Sequence, residues 1–481
     1  MKRTVKALFV ALAAMSLSSC KFLEVERIGK TDIPTFFSDP SSAESSMNGV
    51  YNRLYSVYND YLLIYPEVAA DHLVVSASEK DWQRFANFES TYMDETTPVG
   101  YIWQKGYDVI ANTNQILNWV PQLKDSYPTY ASTIDNVVAQ AYFVRALMHF
   151  ELCCVYAQNY SYTAEASHLG VPVITWIPAV YDKISRSTVS EVYAQVISDL
   201  NSALSSFTEN YSKNGYYASP LACKALLARV YLYKRDYENA VKYATEVIEA
   251  TSLTPRDSYV KMFRSKDELG DENIFRLNGY DMSKTMSKFY HYTSPKAVPS
   301  KKLKSLYTNS SDVRLNLFEV DITDSNSKTT THYSNTFTKY LCTDDIDESK
   351  QHYNPFVLRA SEMYLIRAEA NCALGNLSAA EDDVKALEAR ALGCDASAVS
   401  LGSWSDAKEL DSLIMEERQK ELCLEGHRFF DLARRHEGVS RADDTTSSLK
   451  RLNYPDYRYV LAIPYIELTV NSEMVPNPSS N

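Results

Sequence analysis

The sequence predicts a mainly α protein: a scaffold of helical hairpins of tetratricopeptide (TPR) type, with a loop-rich, partly β insert. Three observations lead there. Apolar residues recur at helical spacing over long windows on both sides of a central region. Two segments, 228–240 and 368–380, repeat a helix–turn–helix pattern with small residues at both ends. Between them, residues 251–355 lose the helical period and alternate in short runs separated by Ser/Thr/Asn/Asp-rich loops.

The elements follow in order. "SSAESSMNGVYNRLYSVYND" reads as the first helix, and "WQKGYDVIANTNQILNWV" from Trp103 as another, ended by Pro121. "STIDNVVAQAYFVRALMHFELCCVYAQNY" is apolar all round, which predicts a core helix. "TVSEVYAQVISDLNSALSSF" opens with Thr188-x-x-Glu191, a capping box. In the first hairpin Ser219 is the N-cap, Pro220 occupies the first turn, and Tyr231, Tyr237 and Ala240 follow the TPR pattern. In the second, Gly375-Asn376 supplies the turn and Ala379-Ala380 the close contact. In the insert, "ENIFRLNGY" and "NTFTKYLCT" read as strands. The closing "YRYVLAIPYIELTVNSEMVPNP" reads as a strand followed by an extended tail.

The N-terminus sets location. Lys2, Arg3 and Lys6 precede an apolar stretch from Ala7 to Leu17. That stretch is shorter than the ~20 residues needed to cross a bilayer, so it reads as a removable signal peptide. Leu17-Ser18-Ser19-Cys20 resembles the lipobox of bacterial lipoproteins, in which the cysteine becomes the acylated first residue. Nothing downstream reads as a membrane span. The expected organisation is a signal peptide over 1–19, a lipidated linker over 20–40 and a helical scaffold over 41–250. The variable insert over 251–355 and C-terminal TPR-like helices with a terminal strand and tail over 356–481 complete it.

Composition excludes some functions. The formal net charge is −12 with no standout basic patch, which argues against nucleic acid. Tyrosine is abundant, 36 residues against 13 glycines, which suits either sugar or peptide binding or half-buried packing between helices. The cysteines lack CxxC spacing or a zinc-like histidine pattern and read as small buried apolar residues. No phosphate-binding glycine loop, HExxH or nucleophile elbow is present, so neither a cofactor nor a catalytic metal is expected. His149 lies on the apolar helix and reads as a core residue. The "DITDSNSKTT" and "CTDDIDES" runs lack the EF-hand order of ligands and read as solvated loops.

"MEERQKELCLEGHRFFDLARR" raises the sharpest alternative. Glu421 and Glu425 are at i and i+4, the spacing of one helical face, and a glycosidase needs two carboxylates. One helix face leaves little room for a sugar between them. Arg418, Arg428, Arg434 and Arg435 are interleaved with the acids, so structural ion pairs account for the charges more simply.

Several segments together resemble the SusD/RagB family of outer-membrane lipoproteins. They are the lipobox at Cys20, "FFSDPSSAESSMNGVYNRLY", "WQKGYDVIANTNQIL", "AQAYFVRALMHFELCCVY", "SPLACKALLARVYLYKRDYENAVKYATEVI", "LRASEMYLIRAEANCALGN", "ERQKELCLEGHRFFDLARR" and "AIPYIELTVNSEMVPNP". Arg418, Glu421, Leu422, Glu425, Gly426, Arg428, Asp431 and Leu432 match the family's most specific helix pattern. The chain departs from it at Tyr465, where the family often has Gln after Ile-Pro, and at its "NPSSN" end.

The resemblance implies a surface lipoprotein on the outer membrane that binds oligosaccharides, or less often peptides as RagB-like members do. It would deliver them without catalysis to a SusC-like TonB-dependent barrel transporter. The competing classes are a membrane-anchored glycoside hydrolase and a TPR-type assembly scaffold without a small ligand. Chemistry and position nominate Asp71, Trp82, Arg84 and Tyr92 in the N-terminal loops, with Tyr280, Tyr290 and Tyr292 in the insert, as ligand contacts. Cys20→Ala should release the mature protein from the membrane into the soluble fraction; protein still pelleting with membranes would remove the anchor.

Overall fold

The computed structural model describes residues 33–209, 211, 214–265, 270–279, 285–324, 326–341 and 354–478. The signal peptide, Cys20, Tyr280 and the "CTDDIDES" run lie outside the described residues. The long helices are α1 (Pro40–Val57), α2 (Pro98–Trp119), α3 (Ala131–Tyr156) and α4 (Val189–Ser206). They continue with α5 (Pro220–Lys234), α6 (Tyr237–Ile248), α7 (Ala360–Ala373), α8 (Leu377–Leu392), α9 (Ala407–Glu421) and α10 (Arg428–Arg434).

Their starts follow the sequence signals. Asp39 caps α1 by accepting from the amides of Ser41 and Ser42. Thr188 and Glu191 close a full capping box on α4, and Ser219 caps α5 ahead of Pro220. Helix α2 begins at Pro98, five residues before Trp103, because Pro98 fits a first turn where no amide is needed.

Helix α3 is the axis of the N-terminal half, packed against α1, α2 and α4. Residues 128–156 are apolar and long enough to cross a membrane by length and composition, a property the sequence reading missed. In the folded protein 89% of its most apolar 18-residue window is buried. Arg145 joins three helices: its guanidinium bonds both Asp199 carboxylate oxygens at 2.7 and 2.8 Å and donates to Asn114 at 2.8 Å. His149 is wholly buried, its Nδ1 3.0 Å from the Arg145 carbonyl and its Nε2 accepting from the Ile174 amide. Burial and the neighbouring Arg145 lower its pKa to about 3, so it packs as a neutral ring.

Helices α5 and α6 form the first hairpin, α7 and α8 the second, and α6 packs on α7 to join them. Gly375, at φ +83°, makes the second turn with nothing near its Cα hydrogens. Ala380 is the buried contact there; Ala379 faces solvent, which corrects the paired reading.

The strands are short: β1 (Leu73–Val75), β2 (Asn273–Arg276), β3 (Ala297–Pro299), β4 (Glu319–Thr323), β5 (Thr330–Ser334), β6 (Phe356–Arg359), β7 (Val439–Ser440) and β8 (Arg451–Leu452). They pair antiparallel as β1–β3, β2–β6, β4–β5 and β7–β8. Two expected strands are absent. Residues 335–341 of "NTFTKYLCT" are irregular, because Thr338 and Lys339 turn inward to bind Arg264 and the 421–425 backbone. The closing segment forms a short helix, Tyr465–Val470, with Pro464 immediately before its first turn. Among the described cysteines Cys394 is exposed and Cys154 half-buried, whereas Cys153, Cys223, Cys372 and Cys423 are buried; all are free thiols.

A buried charge cluster joins the insert to the second hairpin. Arg359, at the end of β6, donates to Glu421 at 2.7 Å, to both Glu425 oxygens at 2.8 Å and to Glu272 at 3.2 Å. Arg390 of α8 grips the same Glu421 and Glu272 at 2.7 and 3.2 Å. Arg314 reaches Glu417 at 2.5 Å and Glu421 at 3.1 Å, and Lys339 reaches Glu425 at 2.6 Å. Helix α9 ends at Glu421, so Glu425 sits in the following turn and not on the same helical face. Burial opposes ionisation of Glu421, but Arg390, Arg359 and Arg314 overcome it and hold the carboxyl well below its usual range.

Arg359→Met should destabilise the protein by about 3–5 kcal/mol in urea titration, because it takes one buried cationic partner from Glu421, Glu425 and Glu272 together. Both Glu421 and Glu425 have folded pKa values depressed below 4.5. Their stabilisation is therefore present above the unfolded value and lost as pH falls below about 4, and unfolding midpoints should drop steeply in that window.

Candidate functional site

A π-helical turn, Tyr58–Leu62, follows α1, and such turns re-aim side chains that an α-helix would place elsewhere. It sets Tyr61 against Tyr101 of α2, ring centroids 4.8 Å apart and nearly perpendicular, and against Trp82 at 5.9 Å. The Tyr101 hydroxyl donates to Asp60, and Thr285 donates to the other Asp60 oxygen at 2.8 Å. Burial, then the Asp60 hydrogen bond, raises the Tyr101 phenol well above its usual range, so it stays a neutral donor.

Trp82 stands on a short helix, Lys80–Ala86, half-buried between Tyr61, Phe85 and Phe289. Two residues on, Arg84 forms a fork-to-fork pair with Asp94, both bonds 2.8 Å. Asp94 also accepts from the Thr91 amide at 2.6 Å, so the 89–95 loop is folded around one carboxylate. Tyr92 tops that loop, 39% exposed, with its ring 5.8 Å from the Tyr465 ring. The Tyr92 carbonyl accepts from the Tyr465 amide and Glu95 accepts from the Ile466 amide, both at 2.9 Å. At its other end the 465–470 helix is tied down where Lys183 donates to the Val470 carbonyl.

Trp82 therefore belongs with Tyr61 and Tyr101 in one aromatic group, whereas Arg84 and Tyr92 belong to the 89–95 loop, where Tyr92 meets Tyr465. Asp71 does not join them: it is buried, bonded by Arg428 at 2.9 and 3.1 Å and by Lys302 at 2.6 Å. Burial alone would raise its carboxyl; the Arg428 guanidinium and its hydrogen bonds hold it far below the usual range. Tyr290 packs against Phe289, Phe337 and Tyr340, and Tyr292 against His291 and Tyr333, both shut away from solvent. The two tyrosines therefore belong to the packing of the insert, and Asp71 to the junction of the N-terminal part with Arg428 and Lys302.

The sequence reading left out Asp60, Tyr61, Tyr101 and Tyr465. "VYNDYL" carried the signal for the first two, but a helical repeat through it misplaces both side chains. Glu421 and Glu425 lie in the buried cluster, closed from solvent by the insert and engaged by arginines on several sides. Among the described residues no group of three or more His, Cys, Asp or Glu side chains has metal-binding geometry.

Comparison with known proteins agrees with this architecture. The profile of a SusD-like family, described as starch-binding and associating with outer membrane, matches residues 21–232, and that of the SusD family matches residues 231–479. The chain belongs to the SusD family. It is 25% identical over 487 residues to SusD-like protein P38 of Formosa agariphila, covering 91% of this chain and 92% of the relative. A SusD-like protein of Bacteroides ovatus is 22% identical over 78% of this chain and 73% of its own.

Among solved structures, a SusD superfamily protein of Bacteroides thetaiotaomicron superposes with a TM-score of 0.76 at 24% identity, covering 92% of this chain and all of that one. A SusD-like carbohydrate binding protein of Bacteroides vulgatus gives 0.72 at 20% identity, covering 91% and 97%. These likenesses establish the shared fold.

Because Trp82 is also a packing residue, Trp82→Ala should destabilise the protein by about 2 kcal/mol, below the ~3–5 kcal/mol of a fully buried tryptophan. Urea titration measures it; an unchanged midpoint would mean that the ring contributes nothing to the scaffold.

Proposed function

We propose that the protein is a lipid-anchored, surface-exposed outer-membrane protein that binds oligosaccharides and passes them, without catalysis, to a SusC-like TonB-dependent barrel transporter. The observation that carries the reading is the concentration of partly exposed aromatic rings in the N-terminal loops: Tyr61 with Trp82 and Tyr101 beside Asp60, and Tyr92 with Tyr465 beside the Arg84–Asp94 pair. Sugars present flat C–H faces and pairs of hydroxyls. Aromatic rings cover the first, and charged or amide groups fork onto the second.

Family membership supports the reading, as does the description of the N-terminal profile as starch-binding and associating with outer membrane. The lipobox at Cys20 supports anchoring. The burial of Glu421 and Glu425 in an arginine cage supports a binder over a glycoside hydrolase, since a general acid must reach the glycosidic oxygen.

These rings are partly open and the polar groups beside them are already paired, which suits modest affinity and release to a transporter. Affinity electrophoresis of the chain from Lys21 against a polysaccharide panel tests it. One glycan should retard the protein without being degraded, and Tyr92→Ala, an exposed site, should weaken that retardation about fivefold or more. Degradation of the glycan, or retardation by peptides alone, would overturn the proposal.

A further inference from the structure

A second concavity lies at the other end of α3. It is about 270 Å³ in volume and is formed by α1, the first turns of α3 and the segment that follows α4. Helix α3 separates it from the aromatic group of Tyr61, Trp82 and Tyr101. Its lining ends at Gln140, whereas the helix's last turn meets the start of α2, which carries Tyr101: the Tyr156 hydroxyl donates there to the carbonyls of Pro98 and Val99. At 1.5 Å per residue, Gln140 and Tyr156 are roughly 24 Å apart.

The floor of this pocket is fixed by internal hydrogen bonds. Gln140 accepts from the Tyr51 hydroxyl at 2.8 Å and donates to the Asn136 carbonyl at 2.9 Å. The Asn136 amide exchanges hydrogen bonds with Thr208 at 3.0–3.2 Å. The walls are different. Among the described residues Glu44, Asn48 and Thr133 make no side-chain hydrogen bond, and the hydroxyl of Tyr211 is buried with no partner. An unpaired buried hydroxyl costs free energy unless something reaches it. Met47 and Val137, both buried, put a small apolar strip at the base between these groups.

Rigid floor, unspent donors and acceptors on the walls, and an apolar strip form the chemistry of a saccharide site. Resting on the glycan-capture reading above, we propose that this pocket is a second, separate sugar site that takes one neutral pyranose unit. Its hydroxyls pair with Glu44, Asn48, Thr133 and Tyr211, and its C–H face lies on Met47 and Val137. The Glu44 carboxylate accepts from hydroxyls and repels a uronic or sulfated unit. Two sites on one scaffold would hold a glycan chain at two points along its length.

Saturation-transfer difference NMR on the chain from Lys21 tests the pocket. The probes are the methyl glycosides of glucose, galactose, mannose and N-acetylglucosamine, with glucuronic acid, each at millimolar concentration. At least one neutral glycoside should bind. Asn48→Ala and Tyr211→Phe should each weaken it about five- to tenfold, and glucuronic acid should give no signal that either variant reduces. Signal undiminished in both pocket variants would overturn the site, as would a glucuronic acid signal that either variant reduces.

Absence of any signal also overturns it, and the unsubstituted protein's retardation by polysaccharide gels then separates the two readings. Retardation without a pocket signal removes the pocket alone. No retardation removes the capture role, whatever the pocket does.

Discussion

Arg359 is the residue on which the rest of the molecule depends. It closes β6, starts α7 and binds three carboxylates that arrive from the insert, from the end of α9 and from the turn beyond it. Charges buried this deeply are costly alone and tolerable only as a complete set. The cluster therefore forms only when the insert, α8 and α9 are all in register, which makes it a test of correct assembly more than a source of stability.

From that cluster the order passes to the aromatic group around Tyr61 through few steps. Glu425 is held by Arg359 and Lys339; the next residue, Gly426, at φ +80°, turns its amide onto Glu67 at 2.9 Å. A side chain there would press on Leu63, so glycine is needed for the close approach. Glu67 belongs to the short helix Ile64–Ala69, which follows the π turn carrying Tyr61. Burial raises the Glu67 carboxyl to about 8, so at neutral pH it is largely protonated and serves as a hydrogen-bonding strut without bringing another charge. Close by, Asp71 binds Arg428 of α10, which fastens the same stretch of chain a second time.

The long helices were legible in the sequence because their signals are local: a capping box at Thr188, Ser219-Pro220, the unbroken apolar surface of 132–160. The ion-pair reading of the acidic and basic residues around Glu421 was legible too, since one helix cannot open a sugar-sized gap between its own side chains. What stayed hidden depended on distant partners. Nothing near Asp71 announces that Arg428 will come to meet it, and nothing in "KFYHY" tells that both tyrosines face in. The π turn at Tyr58–Leu62 shifts the helical register by about one residue, and register errors of that size exchange buried and exposed rings. The final strand failed because the closing segment was read as extended, whereas Pro464 precedes a short helix over Tyr465–Val470.

The short 465–470 helix gives the loop beneath it an unusual kind of constraint. Its first amides are bonded to Tyr92 and Glu95, and its last carbonyl to Lys183, so three stretches far apart in sequence share one fastening. A loop held at its crest cannot lengthen without dislodging the chain's closing segment. Variation in what this surface recognises is thereby steered toward exchanging side chains on a fixed backbone, while insertions are left to the stretches that nothing holds from above.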